Sequence, residues 1–182
     1  MGFVELALLM VSVGATGNSD HCVNQTPAEL KTQIEQTYPR FRFPKSTDNP
    51  DKDVSYSLSQ GANGCLGIAS ADFDGDGEKD FVLGLTARSG PTGIAVAAIK
   101  RDDSWRLETL AKAIPERSRF YVDVDKAGRY ERTEALEGPP SGRDEVMSLT
   151  CKQSVVVMGD IESTGIAFCR RGKWWQYVWI SD

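Results

Sequence analysis

Asp72-Phe73-Asp74-Gly75-Asp76-Gly77-Glu78-Lys79-Asp80 sets aspartates at relative positions 1, 3, 5 and 9 and a glycine at position 6. Carboxylates crowded into one loop repel one another. A hard cation between them reverses that, because Ca²⁺ takes roughly six to eight oxygen ligands at about 2.3–2.6 Å. On this reading Asp72, Asp74, Asp76 and Asp80 supply side-chain oxygens, Gly77 makes the sharp turn, and the carbonyl of Glu78 supplies the ligand at position 7. The first half matches an EF-hand loop, but position 12 is Leu83, where that motif needs a bidentate glutamate. Directly after the loop comes Phe81-Val82-Leu83-Gly84-Leu85, an apolar run of strand length. The loop opens into a strand, and that points to a β-rich fold.

Further strands are expected on the C-terminal side, at 81–86, 94–100, 105–110, 119–125, 128–133, 146–151, 154–160, 165–170 and 173–180. Turns rich in Gly, Pro, Asp and Ser separate them, as in an antiparallel meander. Ala111-Lys112-Ala113-Ile114-Pro115 reads as at most one helical turn. On the N-terminal side Thr26-Pro27-Ala28-Glu29 reads as a capping box with proline in the first turn. Leu30, Ile34 and Tyr38 then recur at helical spacing, and Pro39 ends the helix. Val54-Ser55-Tyr56-Ser57-Leu58 alternates like a half-buried strand. Asp48, Asp51 and Asp53 lack metal-loop spacing and are expected to face water. In the last strand Trp175, Tyr177 and Trp179 share one face. These rings either seal a core or form a stacking platform for sugar rings or a partner protein.

The longer stretch from Gly67 to Leu85, with the acidic loop at its centre, resembles the FG-GAP/VCBS repeat of integrin-type propellers and secreted bacterial proteins. The resemblance implies Ca²⁺ as cofactor and Asp72, Asp74, Asp76 and Asp80 as its ligands. A propeller is built from several such units, whereas this chain carries one loop of this spacing. The expected architecture is therefore mainly β, a β-rich α+β fold. It has an antiparallel meander or propeller-like sheet, one short N-terminal helix and a single calcium loop.

Residues 1–15 contain an apolar run, Phe3 to Val13 interrupted by Glu5, that ends in Val13-Gly14-Ala15, the pattern of a cleaved secretory signal. The run is shorter than the roughly 20 residues of a membrane span, so no stable membrane insertion is expected after cleavage. Residues 16–182 then form one calcium-binding β-rich domain. The four cysteines contain no CxxC motif, and their positions favour Cys151–Cys169 and Cys22–Cys65 among the three possible pairings. Disulfides and a calcium loop both suit a periplasmic or secreted location. The net charge of −5 argues against a nucleic-acid partner.

His21 is the sole histidine, which removes nucleophilic systems built on a well-placed imidazole. No zincin, phosphate-loop, nucleophile-elbow or dinucleotide motif occurs. The chain is accordingly expected to be non-enzymatic, with the metal structural. The alternative is a calcium-stabilised envelope hydrolase acting on polysaccharide or lipid through two carboxylates. In type and layout the chain is similar to small periplasmic inhibitors of peptidoglycan-cleaving enzymes, including immunity proteins for antibacterial effectors. Some of those push a Ser-Gly-containing loop into a lysozyme-like cleft. That likeness implies a cell-wall hydrolase or toxin effector as protein partner, and Ser141, Gly142 and Arg143 as the contact, in a loop spanning 134–145. The same loop also reads as a plain surface connection.

Overall fold

The computed structural model of the chain describes residues 20–181. The expected signal segment lies outside them. Chain order is α1 (His21–Asn24), α2 (Ala28–Thr37), β1 (Phe41–Arg42), α3 (Asp51–Ser59), β2 (Ile68–Ala71), β3 (Asp80–Ala87), β4 (Gly93–Arg101) and β5 (Ser104–Ile114). The second half contains β6 (Phe120–Asp125), β7 (Gly128–Glu131), β8 (Ser148–Cys151), β9 (Val155–Asp160), β10 (Gly165–Arg171) and β11 (Trp174–Ser181). The fold is mainly β, with antiparallel sheets and a few short helices.

Strands β2 to β5 form a meander, and β1 joins β3 beside β2, on Thr86 and Ala87. A second sheet runs β11-β10-β9-β6, and β7 pairs with β8 alone. Period-2 alternation then sorts the core into layers. From β4, Ile94, Val96 and Ala98 pack with Leu30 and Ile34 of α2, while Ala95, Ala97 and Ile99 pack with Val122, Val156, Met158 and Phe168 of the second sheet. A strand covered on both faces must be apolar throughout, which is why 94–99 reads as an unbroken apolar run. The outer face of the second sheet is closed by Leu149 and Cys151 of β8 against Val155, Ala167 and Val178. Trp175 and Tyr177 pack on the inter-sheet core, so the last strand's inward rings are structural.

Both disulfides take the favoured pairings, Cys22–Cys65 and Cys151–Cys169. The first ties α1 to the segment before β2; the second fastens β8 to β10. They are compatible with an oxidising environment, and no helix among the described residues is long and apolar enough to cross a membrane.

Several local expectations are corrected. Residues 54–58 lie in helix α3, not in a strand. Pro50 precedes its first turn and Asp51 and Asp53 sit in that turn, where the helix dipole favours carboxylates. Helix α2 starts at Ala28 with Pro27 as its cap residue, and the buried Thr26 hydroxyl makes no hydrogen bond, so the capping box does not form. Residues 111–114 continue β5, paired through a bulge with β4. Asp48 does not face water. Its side chain is 7% exposed, takes Arg42 at 2.9 and 2.6 Å and accepts the Thr86 hydroxyl at 3.0 Å.

Candidate functional site

The acidic loop joins β2 to β3, and backbone amides fold it around its own carboxylates. Asp72 Oδ1 accepts the Gly75 N–H at 2.6 Å and its Oδ2 accepts the Gly77 N–H at 2.9 Å. Gly75 and Gly77 hold φ of 83° and 89°, left-handed values that favour glycine. Asp80, fully buried at the start of β3, accepts the Phe73 N–H at 3.0 Å and the Lys100 N–H at 2.8 Å. Its one carboxylate thus fastens the loop to β3 and to the end of β4. Phe73 is fully buried, edge-on to Trp175 at 6.2 Å, and anchors the loop on the inter-sheet core.

Asp72, Asp74 and Asp80 form a group whose ligand oxygens lie within 4.8 Å of one another and could hold a metal ion. Asp74 Oδ1 is buried without a hydrogen-bond partner. An orphaned buried carboxylate oxygen is costly unless a cation or donor meets it. Hard oxygen donors around such an atom fit a divalent cation of the calcium or magnesium type. Asp76 stands outside the group. Its Oδ1 accepts the Glu78 N–H at 2.9 Å, and its Oδ2 accepts Arg101 Nη1 at 2.7 Å. Glu78 is exposed on the rim of the loop.

The cations around the loop come from elsewhere in the fold. Arg101, at the end of β4, donates to Asp74 as well as to Asp76. Arg170 of β10 brings Nε to 3.8 Å from Asp74 Oδ2 and binds Glu108 at 2.6 and 3.1 Å. Trp175 Nε1 donates to the same Glu108 carboxylate at 2.6 Å. Among the described residues, no ion pair reaches Asp72 or Asp80. Burial, partly offset by the two backbone N–H donors and reinforced by the charges of Asp74 and Asp76, pushes Asp80 up to about 6.

Ser141, Gly142 and Arg143 lie on the connection between β7 and β8. Ser141 is exposed but tethered. Its N–H and hydroxyl donate to Glu145 Oε2 at 2.9 and 2.6 Å, and Glu145, 5% exposed, pairs with Arg132 at 3.3 Å. The Ser141 hydrogen bonds, ahead of the Arg132 charge, hold Glu145 below its ordinary range. Arg132 also donates to the carbonyls of Leu136 and Gly138, while Tyr177 N–H donates to the Asp144 carbonyl. The loop is therefore tied at both ends to buried charge and to β11. Gly142 has φ of 99° at the tip. Arg143 is exposed and stacks 5.6 Å from the ring of Trp174, itself 66% exposed. With Asp144, Arg171 and Gln176 they line a cleft of about 530 Å³. A separate cleft of about 720 Å³ lies between α3 and β6, with Tyr56, Tyr121, Asp53, Asp123, Asp160 and Glu162 on its walls.

No protein-family model, curated protein or solved structure matches this chain. The chemistry therefore rests on the geometry alone. Sequence reasoning names the carboxylates but misses Arg101, Arg170, Glu108 and Trp175, which neutralise or brace them. Strand pairing between β3 and β4 brings Arg101 to the loop, and packing of the second sheet brings Arg170.

Proposed function

We propose that the chain is a calcium-binding, non-enzymatic interaction domain of the periplasm or cell exterior. We further propose that it acts as an inhibitor or immunity protein against a peptidoglycan-degrading enzyme. The metal reading is carried by the orphaned, buried Oδ1 of Asp74 inside a group of three close carboxylates. Asp72, Asp74 and Asp80 would hold the ion, with Asp76 and the Glu78 carbonyl joining them. The ion would supply positive charge that lets β3 begin from a cluster of carboxylates. A carboxylate bound to it has little basicity left for proton transfer, so its role is structural.

The partner reading is supported by the tethered loop. Glu145 and Arg132 remove much of the ordering cost that a free loop would incur on binding, and Arg143 with Trp174 offers the residue types enriched at interface hot spots. An exposed guanidinium stacked on an indole suits the carboxylate-lined, sugar-binding cleft of a cell-wall hydrolase. The test is inhibition of lysozyme-type and amidase-type hydrolases by the purified protein. Inhibition without turnover supports the binder. Release of products from peptidoglycan, glycan or lipid substrates favours the hydrolase, whose carboxylates the cleft at Asp53, Asp123, Asp160 and Glu162 would supply.

A further inference from the structure

Among the described residues, Arg101 is the one side chain that donates to two carboxylates of the acidic loop, Asp74 and Asp76. It reaches them from the last residue of β4, next to Lys100, whose N–H is fixed on Asp80. The consequences for the two aspartates differ. Asp74 offers Arg101 its Oδ2 and keeps the buried Oδ1 free, so it can meet a cation with the guanidinium in place. Asp76 differs in its partner. Its Oδ1 accepts the Glu78 N–H, but its Oδ2 is held by the charged guanidinium of Arg101, and it stands outside the group formed by Asp72, Asp74 and Asp80.

We infer that Arg101 is a built-in counter-cation that competes with the metal for Asp76, so that metal uptake and release of Arg101 are one event. This rests on the proposed metal site. In the metal-free protein the guanidinium offsets the repulsion between Asp74 and Asp76 and keeps the loop folded. When a divalent ion arrives, Asp76 exchanges the guanidinium for the metal, and the side chain at the β4–β5 turn is freed. Arg101 thereby sets the affinity: it lowers it, and in exchange the empty loop stays ordered. A purely supportive arginine behind the site would act in the opposite direction, since its removal would loosen the ligands.

Calorimetric titration of CaCl₂ into chelator-stripped wild type, Arg101→Gln, Asp76→Asn and the double variant separates these. Arg101 and Asp76 are both more than a third exposed, so the effect is modest. Arg101→Gln is expected to tighten Ca²⁺ binding roughly three- to fivefold, and Arg101→Lys should tighten it less. In the Asp76→Asn background the Arg101→Gln change should have a clearly smaller effect, since only the contact with Asp74 remains. Melting supplies a second readout: Arg101→Gln lowers Tm in EDTA and not in saturating Ca²⁺. The inference is overturned if wild type binds Ca²⁺ and Arg101→Gln binds equally or more weakly. It is also overturned if the tightening persists undiminished in the Asp76→Asn background. If neither wild type nor Arg101→Gln takes up the ion, the metal reading itself falls.

Discussion

Asp74 of the acidic loop and Arg170 of β10 meet between the two sheets, Oδ2 to Nε at 3.8 Å. The Arg170 side chain is completely buried, and its other nitrogens are held by Glu108 of β5. The loop, the first sheet and the second sheet thus share one charged cluster. Removing a single partner from a buried, paired cluster leaves an uncompensated charge, at a cost of about 3–5 kcal/mol. Arg170→Ala should therefore lower Tm by roughly 6–20 °C in EDTA, given about 2–4 °C per kcal/mol for a chain of this size. A loss of only a degree or two in a thermal melt would show that the cluster contributes little.

Stability should depend on pH through Asp80. Its carboxyl is raised from 3.8 to about 6, chiefly by burial. Between these values the folded protein holds a proton that the unfolded chain has released, so stability falls as pH rises from about 4 to about 6. The gap is worth roughly 3 kcal/mol. Asp48 and Glu145 act with the opposite sign and at lower pH. Asp48, despite burial, is held below the ordinary range by Arg42, and Glu145 by Ser141; their contribution is lost only as pH falls below the ordinary carboxylate range. In EDTA the protein should melt higher at pH 5 than at pH 7. Added Ca²⁺ should raise Tm more at pH 7, where Asp80 carries its charge. Equal calcium effects at both values would separate Asp80 from the metal.

Asp72 tests the metal with least damage to the loop. Asn at this position keeps one acceptor for the Gly75 or Gly77 N–H but loses the charge. Asp72→Asn should weaken Ca²⁺ binding by roughly tenfold or more, since affinity follows ligand charge. In EDTA it should cost only about 1 kcal/mol for the second hydrogen bond. An equal fall in Tm with and without Ca²⁺ would make Asp72 a turn residue and nothing more.

How much of this was legible in sequence varies with the range of the interaction. The strands of β3, β4 and β9 to β11 are visible because burial on two faces writes unbroken apolar runs, and turn residues separate them. Asp72, Asp74 and Asp80 come together as their spacing implies. Residues 54–58 mislead because Val, Ser and Tyr alternate by chance. Their helix buries none of its residues, so the apolar periodicity that marks helices is missing, and the signal lies upstream in Pro50, Asp51 and Asp53. Strand β1 is two residues long and exists only through Thr86 and Ala87. The ion pairs of Arg101 depend on the pairing of β4 with β3 and those of Arg170 on sheet packing, and no local pattern encodes either. Ser141 is exposed, and its tether to Glu145, four residues on, has no signature in the local sequence.

On the proposed partner reading, the tethered loop predicts separable effects at the contact. Arg143→Ala and Trp174→Ala should each weaken inhibition of the partner hydrolase by about 1–2 kcal/mol, the range for interface anchors. Both side chains are exposed, so Tm should stay within about 2 °C of wild type. Glu145→Ala should weaken inhibition and also lower Tm, because it strands Arg132 and frees Ser141. Full inhibition by Arg143→Ala and Trp174→Ala would move the contact elsewhere, with the cleft beside Tyr56 and Tyr121 next to be tested.

Three close carboxylates at the head of β3 are tolerated, on the proposed reading, because a divalent ion sits among them. Isothermal titration of CaCl₂ into folded, chelator-stripped protein at pH 7 is the decisive measurement. Saturable uptake of one Ca²⁺ per chain is expected, with a dissociation constant of about 1 mM or tighter, the range of extracellular calcium modules, together with a rise in Tm. No heat of binding and no shift in Tm up to about 10 mM, well beyond that range, would contradict it.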